Sequence, residues 1–199
     1  MPYAVQTFGQ PPRGLPRCDG ISNFRAVHRK LWADCAIWTH QYVVSGLANL
    51  DDGQAALKRL VANQDAIGQS VISFLGPADS LKLTKLLRER TAILGKLVVA
   101  AKTGDAEKTA TASENWKTNA TTIAAFLNSL NSRWATKTVN DTLQHHLDLI
   151  KKGIAARLES DWAGDVAAFD ACFDHLMKFS DLLSNGMLGI VEALTARRK

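Results

Sequence analysis

FRAVHRKLWADCAIWTHQYVVSGLANL, residues 24–50, decides the fold. Leu31, Cys35, Trp38 and Tyr42 recur at spacings of three and four, which stack side chains along one face of an α-helix. Ala36, Val43 and Leu47 make a second apolar stripe, and Ile37 and Val44 a third. A helix apolar on nearly every side is surrounded by other helices rather than laid on a surface. This segment is therefore expected at the centre of a bundle.

The chain on either side agrees. Of five prolines, Pro2, Pro11, Pro12 and Pro16 precede residue 20 and only Pro77 follows. Nearly all of the remaining chain is thus free of this helix breaker. Residues 1–22 have no helical period and read as an extended arm, ended by Ser22 or Asn23 as cap of the first helix. Asp51 or Asp52 caps a second helix striped by Leu57, Leu60, Gln64, Ile67 and Val71, which runs to Gly76-Pro77. A third, capped by Asp79 or Ser80, carries Leu83, Leu87, Arg90, Leu94 and Leu97 and ends at Thr103-Gly104. Asp105 opens a fourth, with Trp116, Asn119, Ile123 and Leu127 facing inward. A polar connection follows, in which Trp134 covers a bundle end, and a fifth helix starts near Thr138. The last seam runs Trp162, Val166, Phe169, Phe173, Leu176, Ser180, Leu183 and Met187, with an interruption expected at Asn185-Gly186. The tryptophans at 32, 38, 116, 134 and 162 all read as core or end-capping residues. Short connections between long helices make antiparallel neighbours. The expected fold is all-α: an up-and-down helical bundle of about five or six helices with a four-helix core. It forms a single domain over residues 23–196, followed by a basic tail at 197–199.

Composition narrows the function classes. Net charge is +5 over 199 residues, and the basic residues are dispersed rather than gathered into a stripe, which makes a nucleic-acid partner unlikely. Three cysteines without a CxxC argue against a disulfide framework and for a reducing compartment. The first residues lack the charged start and apolar core of a secretory signal, and no run is long enough to span a membrane. The expected location is cytoplasmic or within an assembled particle.

No catalytic motif stands out. A two-metal carboxylate site in a bundle needs Glu-x-x-His, so that both ligands face inward one turn apart. The residues three before His28, His40, His145, His146 and His175 are Arg25, Ile37, Thr142, Leu143 and Cys172, none of them acidic. A looser metal set at His145, His146 and Asp148 is weak, because adjacent helical side chains diverge by about 100°. No cofactor is expected. Asp161/Asp165 and Asp170/Asp174, each one turn apart, read as a solvated acidic face. The stronger signals are polar residues on core stripes: Gln64, Arg90 and Asn119. A buried guanidinium needs a partner, for which Asp34, Asp65, Asp165, Asp170 and Asp174 are the candidates. Such residues serve either as a structural polar network or as an internal anion pocket.

Several segments together resemble an uncharacterised family of all-helical proteins of this length, seen in bacteria and in some large DNA viruses. They are LWADCAIWTHQYVVSGLANL (31–50), LVANQDAIGQS (60–70), LTKLLRERTAI (83–93), Trp116-x-x-Asn119 with IAAFL (123–127), HHLDL (145–149) and DWAGDVAAFD (161–170). The resemblance implies a helical bundle and no particular activity. In that family histidine is common where this chain has Cys35, Arg90 and Lys178, and His146 matches. If the family uses those histidines as ligands, this chain has lost the site.

Two functions follow as expectations. The first is a non-enzymatic subunit for assembly or protein interaction, for example a structural component of a larger particle such as a virion. It would contact a protein partner or form a homo-oligomer through Pro11, Pro12, Arg13, Arg17, Arg197 and Arg198. The second is a small-ligand or metal-binding bundle, with Gln64, Arg90, Asn119 and His146 lining an internal pocket.

Overall fold

A computed structural model of the chain describes residues 18–196, with side chains described from Asn23 to Ile190. Seven helices follow one another: α1 (Cys18–Ala48), α2 (Gly53–Ser70), α3 (Ile72–Leu75), α4 (Pro77–Lys102), α5 (Ala106–Leu130), α6 (Thr136–Leu158) and α7 (Trp162–Ala196). Six are long, and α3 is a single turn. Among the described residues there is no strand. Pro11, Pro12, Arg13, Arg17, Arg197 and Arg198 lie outside the described residues.

Several boundaries differ from the sequence reading, each for a local reason. α1 begins at Cys18, so Ser22 and Asn23 lie inside it rather than cap it. Nothing after Pro16 forbids a helix, and Gly20 costs only about 1 kcal/mol. α2 stops at Ser70, where Val71 leaves helical geometry (φ −106°, ψ 0°), and α3 makes one more turn. Gly76 then takes φ +81°, a left-handed backbone that suits glycine, and Pro77 starts α4. Asp79 and Ser80 are therefore inside α4, not caps. Asp52 stands at the start of α2, but its carboxylate accepts from Gln41 Nε2 (3.2 Å) instead of capping. Asp105 does cap α5, accepting from the Lys108 amide at 2.9 Å.

α7 runs unbroken through Asn185-Gly186. The glycine serves a close approach rather than a bend, since a methyl group there would overlap the Trp134 indole. Trp134 is fully buried, donates Nε1–H to the Leu182 carbonyl (3.2 Å), and so locks the α5–α6 connection onto α7. The start of α7 also faces differently from the sequence reading. Trp162 and Val166 are each 59% exposed, while the buried line runs Asp165, Ala168, Cys172, Leu176, Phe179, Leu183 and Met187. Asp165 turns inward because His40 and Arg157 both bind it.

The six long helices close a ring in chain order, α1–α2–α4–α5–α6–α7 and back to α1. α1, α4 and α6 also meet across the middle. α1 thus packs against α2, α4, α6 and α7, which explains its apolar stripes, although the third of these turns outward at the half-exposed Ile37. Opposed pairs fix the directions. His28 meets Ser180 and Ser184, and His40 meets Asp165, so α1 and α7 are antiparallel. The aromatic and aliphatic core is continuous across all six long helices, and burial on that scale stabilises the fold at ~25 cal/mol per Å² of apolar surface.

Candidate functional site

The meeting of α1, α2, α4, α5 and α6 leaves an internal cavity of about 30 Å³. Its apolar walls include Trp32, Leu60, Leu87, Leu94 and Trp116, and its polar groups come from Cys35, Thr39, Gln64, Arg90, Thr91 and His146. Gln64, Arg90 and His146 thus face one space. Asn119 stands behind Arg90 rather than in the wall.

Arg90 is the only lysine or arginine buried among the described residues. It shares its helix face with Leu83, Leu87, Leu94 and Leu97, and that register carries the guanidinium into the core. None of the expected acids pairs with it. Asp34 takes Lys30 and Arg59, Asp65 takes Arg88, and Asp165 takes Arg157 and His40; Asp170 and Asp174 are exposed. Arg90 is held instead by neutral groups. One terminal nitrogen donates to the Leu143 carbonyl at 2.7 Å, and the other reaches Asn119 Oδ1 at 3.5 Å. The plane lies over the Trp116 ring, 4.0 Å from its centroid. Asn119 is braced in turn by the Leu86 carbonyl and Glu89. Arg90 Nε–H is buried and finds no acceptor in the protein. Burial pushes the guanidinium down to about 9, so it still carries its charge at pH 7.

His146 closes the cavity from α6. Its ring meets Trp116 edge-on at 5.8 Å, and its buried Nε2 also lacks a partner. Burial first, then the charges of Arg90, His175 and His145, hold it well below the ordinary histidine range. It is therefore neutral at pH 7. His175 of α7 stacks 6.2 Å from His146 and 4.9 Å from His145, and its Nε2–H donates to the Thr142 carbonyl (2.9 Å). Three imidazoles thus lead from the buried His146 to the exposed His145. Lys178 adds a further positive charge near His175. Cys35 stays a thiol, its pKa raised by burial although Gln64, Thr39 and Arg90 all act to lower it.

The suggested metal set is not assembled. His145 and Asp148 are exposed while His146 is buried. Among the described residues no group of three or more histidine, cysteine or acidic side chains is placed to hold a metal ion. The reason is the divergence of adjacent helical side chains.

Two buried clusters escaped the sequence reading. His28 is fully buried, with Nδ1 against Ser184 (2.9 Å) and Ser180 (3.2 Å) and Nε2 accepting from Trp32 (3.4 Å). Ser180, a polar residue on an apolar seam, was its one visible signal. Asp165, only 4% exposed, binds His40 (3.2 Å) and Arg157 (2.6 Å). These polar atoms satisfy one another, which marks both clusters as struts.

Fold and cavity together define an all-α bundle with one buried, carboxylate-free cation facing an internal space. Comparison with protein-family models, curated proteins and solved structures yields no match for the chain. No helix among the described residues is long and apolar enough to cross a membrane.

Proposed function

We propose that the protein is a helical bundle that binds a small anion at Arg90. One observation carries this reading: a buried guanidinium without a carboxylate lines a cavity and has an unpartnered Nε–H. An isolated buried charge is costly, and proteins neutralise it with a partner or a ligand. Charge-assisted hydrogen bonds to an oxyanion would satisfy both the donor and the charge. His146, Cys35 and Gln64 complete a rim that offers hydrogen bonds without adding an acid. A guanidinium at 90 repels a metal ion and attracts an anion. The test is thermal unfolding of the wild type and Arg90→Met in a buffer with only bulky anions, with and without added formate or nitrate. Stabilisation of the wild type alone is expected. Equal stabilisation of both, or of neither, would remove the proposal.

A second reading, a subunit for protein interaction or assembly, is favoured by one surface feature. Trp162 and Val166 lie one turn apart, both well exposed, with Leu158 exposed at the end of α6. Exposed apolar side chains gathered at one place are the usual mark of a contact surface. Light scattering of the full chain, beside Trp162→Ser, tests it. A mass above the monomer that falls in the variant is expected, and a monomer in both defeats self-assembly.

A further inference from the structure

Resting on the anion-binding reading, we infer that the ligand of this cavity is a planar monoanion of three or four heavy atoms, a small carboxylate or an anion of nitrate shape. It lies in line with the free edge of the Arg90 guanidinium and accepts a hydrogen bond from His146 Nε2–H, and dianions are rejected.

Size comes first. A buried water needs roughly 10–15 Å³, so a cavity of about 30 Å³ holds two waters, or an anion the size of formate, nitrate or bicarbonate. Shape follows from the way Arg90 is held. The central carbon of the guanidinium sits 4.0 Å from the Trp116 ring centroid, and its two terminal nitrogens are bound by Leu143 and Asn119. Its Nε–H therefore points in the guanidinium plane, where a flat oxyanion is received edge to edge.

Charge discriminates most. The groups facing the cavity are Arg90 from α4, His146 from α6, Cys35 from α1 and Gln64 from α2, with His175 of α7 and His145 of α6 behind. Burial holds Cys35 as a thiol, and burial together with the charge of Arg90 holds His146 neutral. The cavity wall thus carries a single positive charge, and the nearby Asp34 carboxylate, paired with Lys30 and Arg59, lies outside it. A monoanion brings that charge to zero. A dianion would leave a net negative charge in an apolar interior, or would need a proton on His146 against Arg90, and both are costly. Neutral His146 has one nitrogen to donate and one to accept. Its unpartnered Nε2 shares the cavity with Arg90 Nε, so the tautomer with hydrogen on Nε2 supplies the second donor. Lys178 adds a positive charge near His175, behind His146.

Isothermal titration of the full chain with formate, nitrate, sulfate and hydrogen phosphate at pH 7.5 tests this. Formate and nitrate should bind at least about 100-fold more tightly than the two dianions. Repeating the formate titration in buffers of different ionisation enthalpy should show less than half a proton taken up. Between pH 6.5 and 8 its affinity should change less than threefold. His146→Leu should weaken formate about tenfold, the range of one lost hydrogen bond, and His146→Gln should restore most of it through its amide donor. Sulfate or phosphate binding as tightly as formate, or uptake of a full proton, would overturn the monoanion inference while leaving anion binding intact. If no anion binds the wild type, both proposals fall. Should His146→Leu fail to fold, the anion series and the proton count on the wild type decide alone.

Discussion

Replacing Arg90 by methionine should leave the protein as stable as before, or more so, when no small anion is present. Burial lowers the guanidinium from the ordinary arginine range to about 9. At 1.36 kcal/mol per pH unit this fall corresponds to about 5 kcal/mol of penalty on the charged form. The penalty is in force below pH 9 and fades as pH rises from 9 toward the ordinary arginine range. Against it stand one short hydrogen bond to Leu143, worth about 1.5–3 kcal/mol for a charged donor, and the Trp116 face, worth about 2 kcal/mol when desolvated. The terms nearly cancel. Methionine fills the same track with a flexible apolar chain. It strands little, because Trp116 Nε1 still donates to the Leu143 carbonyl at 3.2 Å. Arg90→Met should therefore lie between neutral and about 2 kcal/mol more stable, read as a melting temperature raised by up to roughly 6 °C for a chain of this size. Calorimetry in a buffer of bulky anions at pH 7.5 measures it. With formate at 100 times its Kd the wild type should gain about 2.7 kcal/mol and the variant nothing. A loss of 3 kcal/mol or more in Arg90→Met without anion would refute the reasoning, because Arg90 would then be a strut whose charge is already satisfied by the protein.

Three further outcomes follow from buried contacts elsewhere. Gly186→Ala drives a methyl group into the Trp134 indole and should destabilise by about 1–3 kcal/mol, read as a lower urea midpoint with an unchanged slope. Asp165→Asn leaves Arg157 and His40 without their shared carboxylate; a loss of about 2–3 kcal/mol is expected, below the usual range for fully buried pairs because Arg157 keeps some solvent contact. Burial holds His28 down to about 4, so the unfolded chain binds its proton first as pH falls. The stability this histidine contributes is intact above pH 6.5 and is lost between 6.5 and about 4, by about 3 kcal/mol in total. His28→Gln should flatten the stability–pH slope over that interval by close to one proton, and an unchanged slope would show that the imidazole titrates normally.

The helices were legible in the sequence because their signals are local. Spacing of Leu31, Cys35, Trp38 and Tyr42 depends on one turn of one helix, and Asp105 caps α5 with an amide three residues away. The misread details all depend on a second element. Asn185-Gly186 has the composition of a break, yet Gly186 exists to admit Trp134, which lies in a connection about a quarter of the chain away. Trp162 and Val166 continue an apolar seam on paper. The face that turns inward at the start of α7 is nevertheless set by Asp165, because His40 and Arg157 wait for it across the interface. A hydrophobic pattern ranks faces by transfer energy alone, and it cannot weigh an ion pair that forms only once three helices have met.

The same limit divides the site. That Arg90 falls on a core face follows from its register with Leu87 and Leu94, so its burial could be read in advance. That it lacks an acid could not. Five aspartates lie on other helices at plausible places, but Asp34, Asp65 and Asp165 are bound by other cations, and Asp170 and Asp174 are exposed. Ordinary bundles resolve a core arginine by supplying a carboxylate, and this one has the carboxylates to spare. It surrounds Arg90 with a carbonyl, an amide, an indole face and a neutral histidine. The carbonyl, the amide and the indole face orient the guanidinium, and none of the four cancels its charge. A group held rigidly and left charged beside a small empty space is arranged for something that arrives with the opposite charge. This is why the cavity at Arg90, rather than the satisfied clusters at His28 and Asp165, is where the function of this bundle is to be sought.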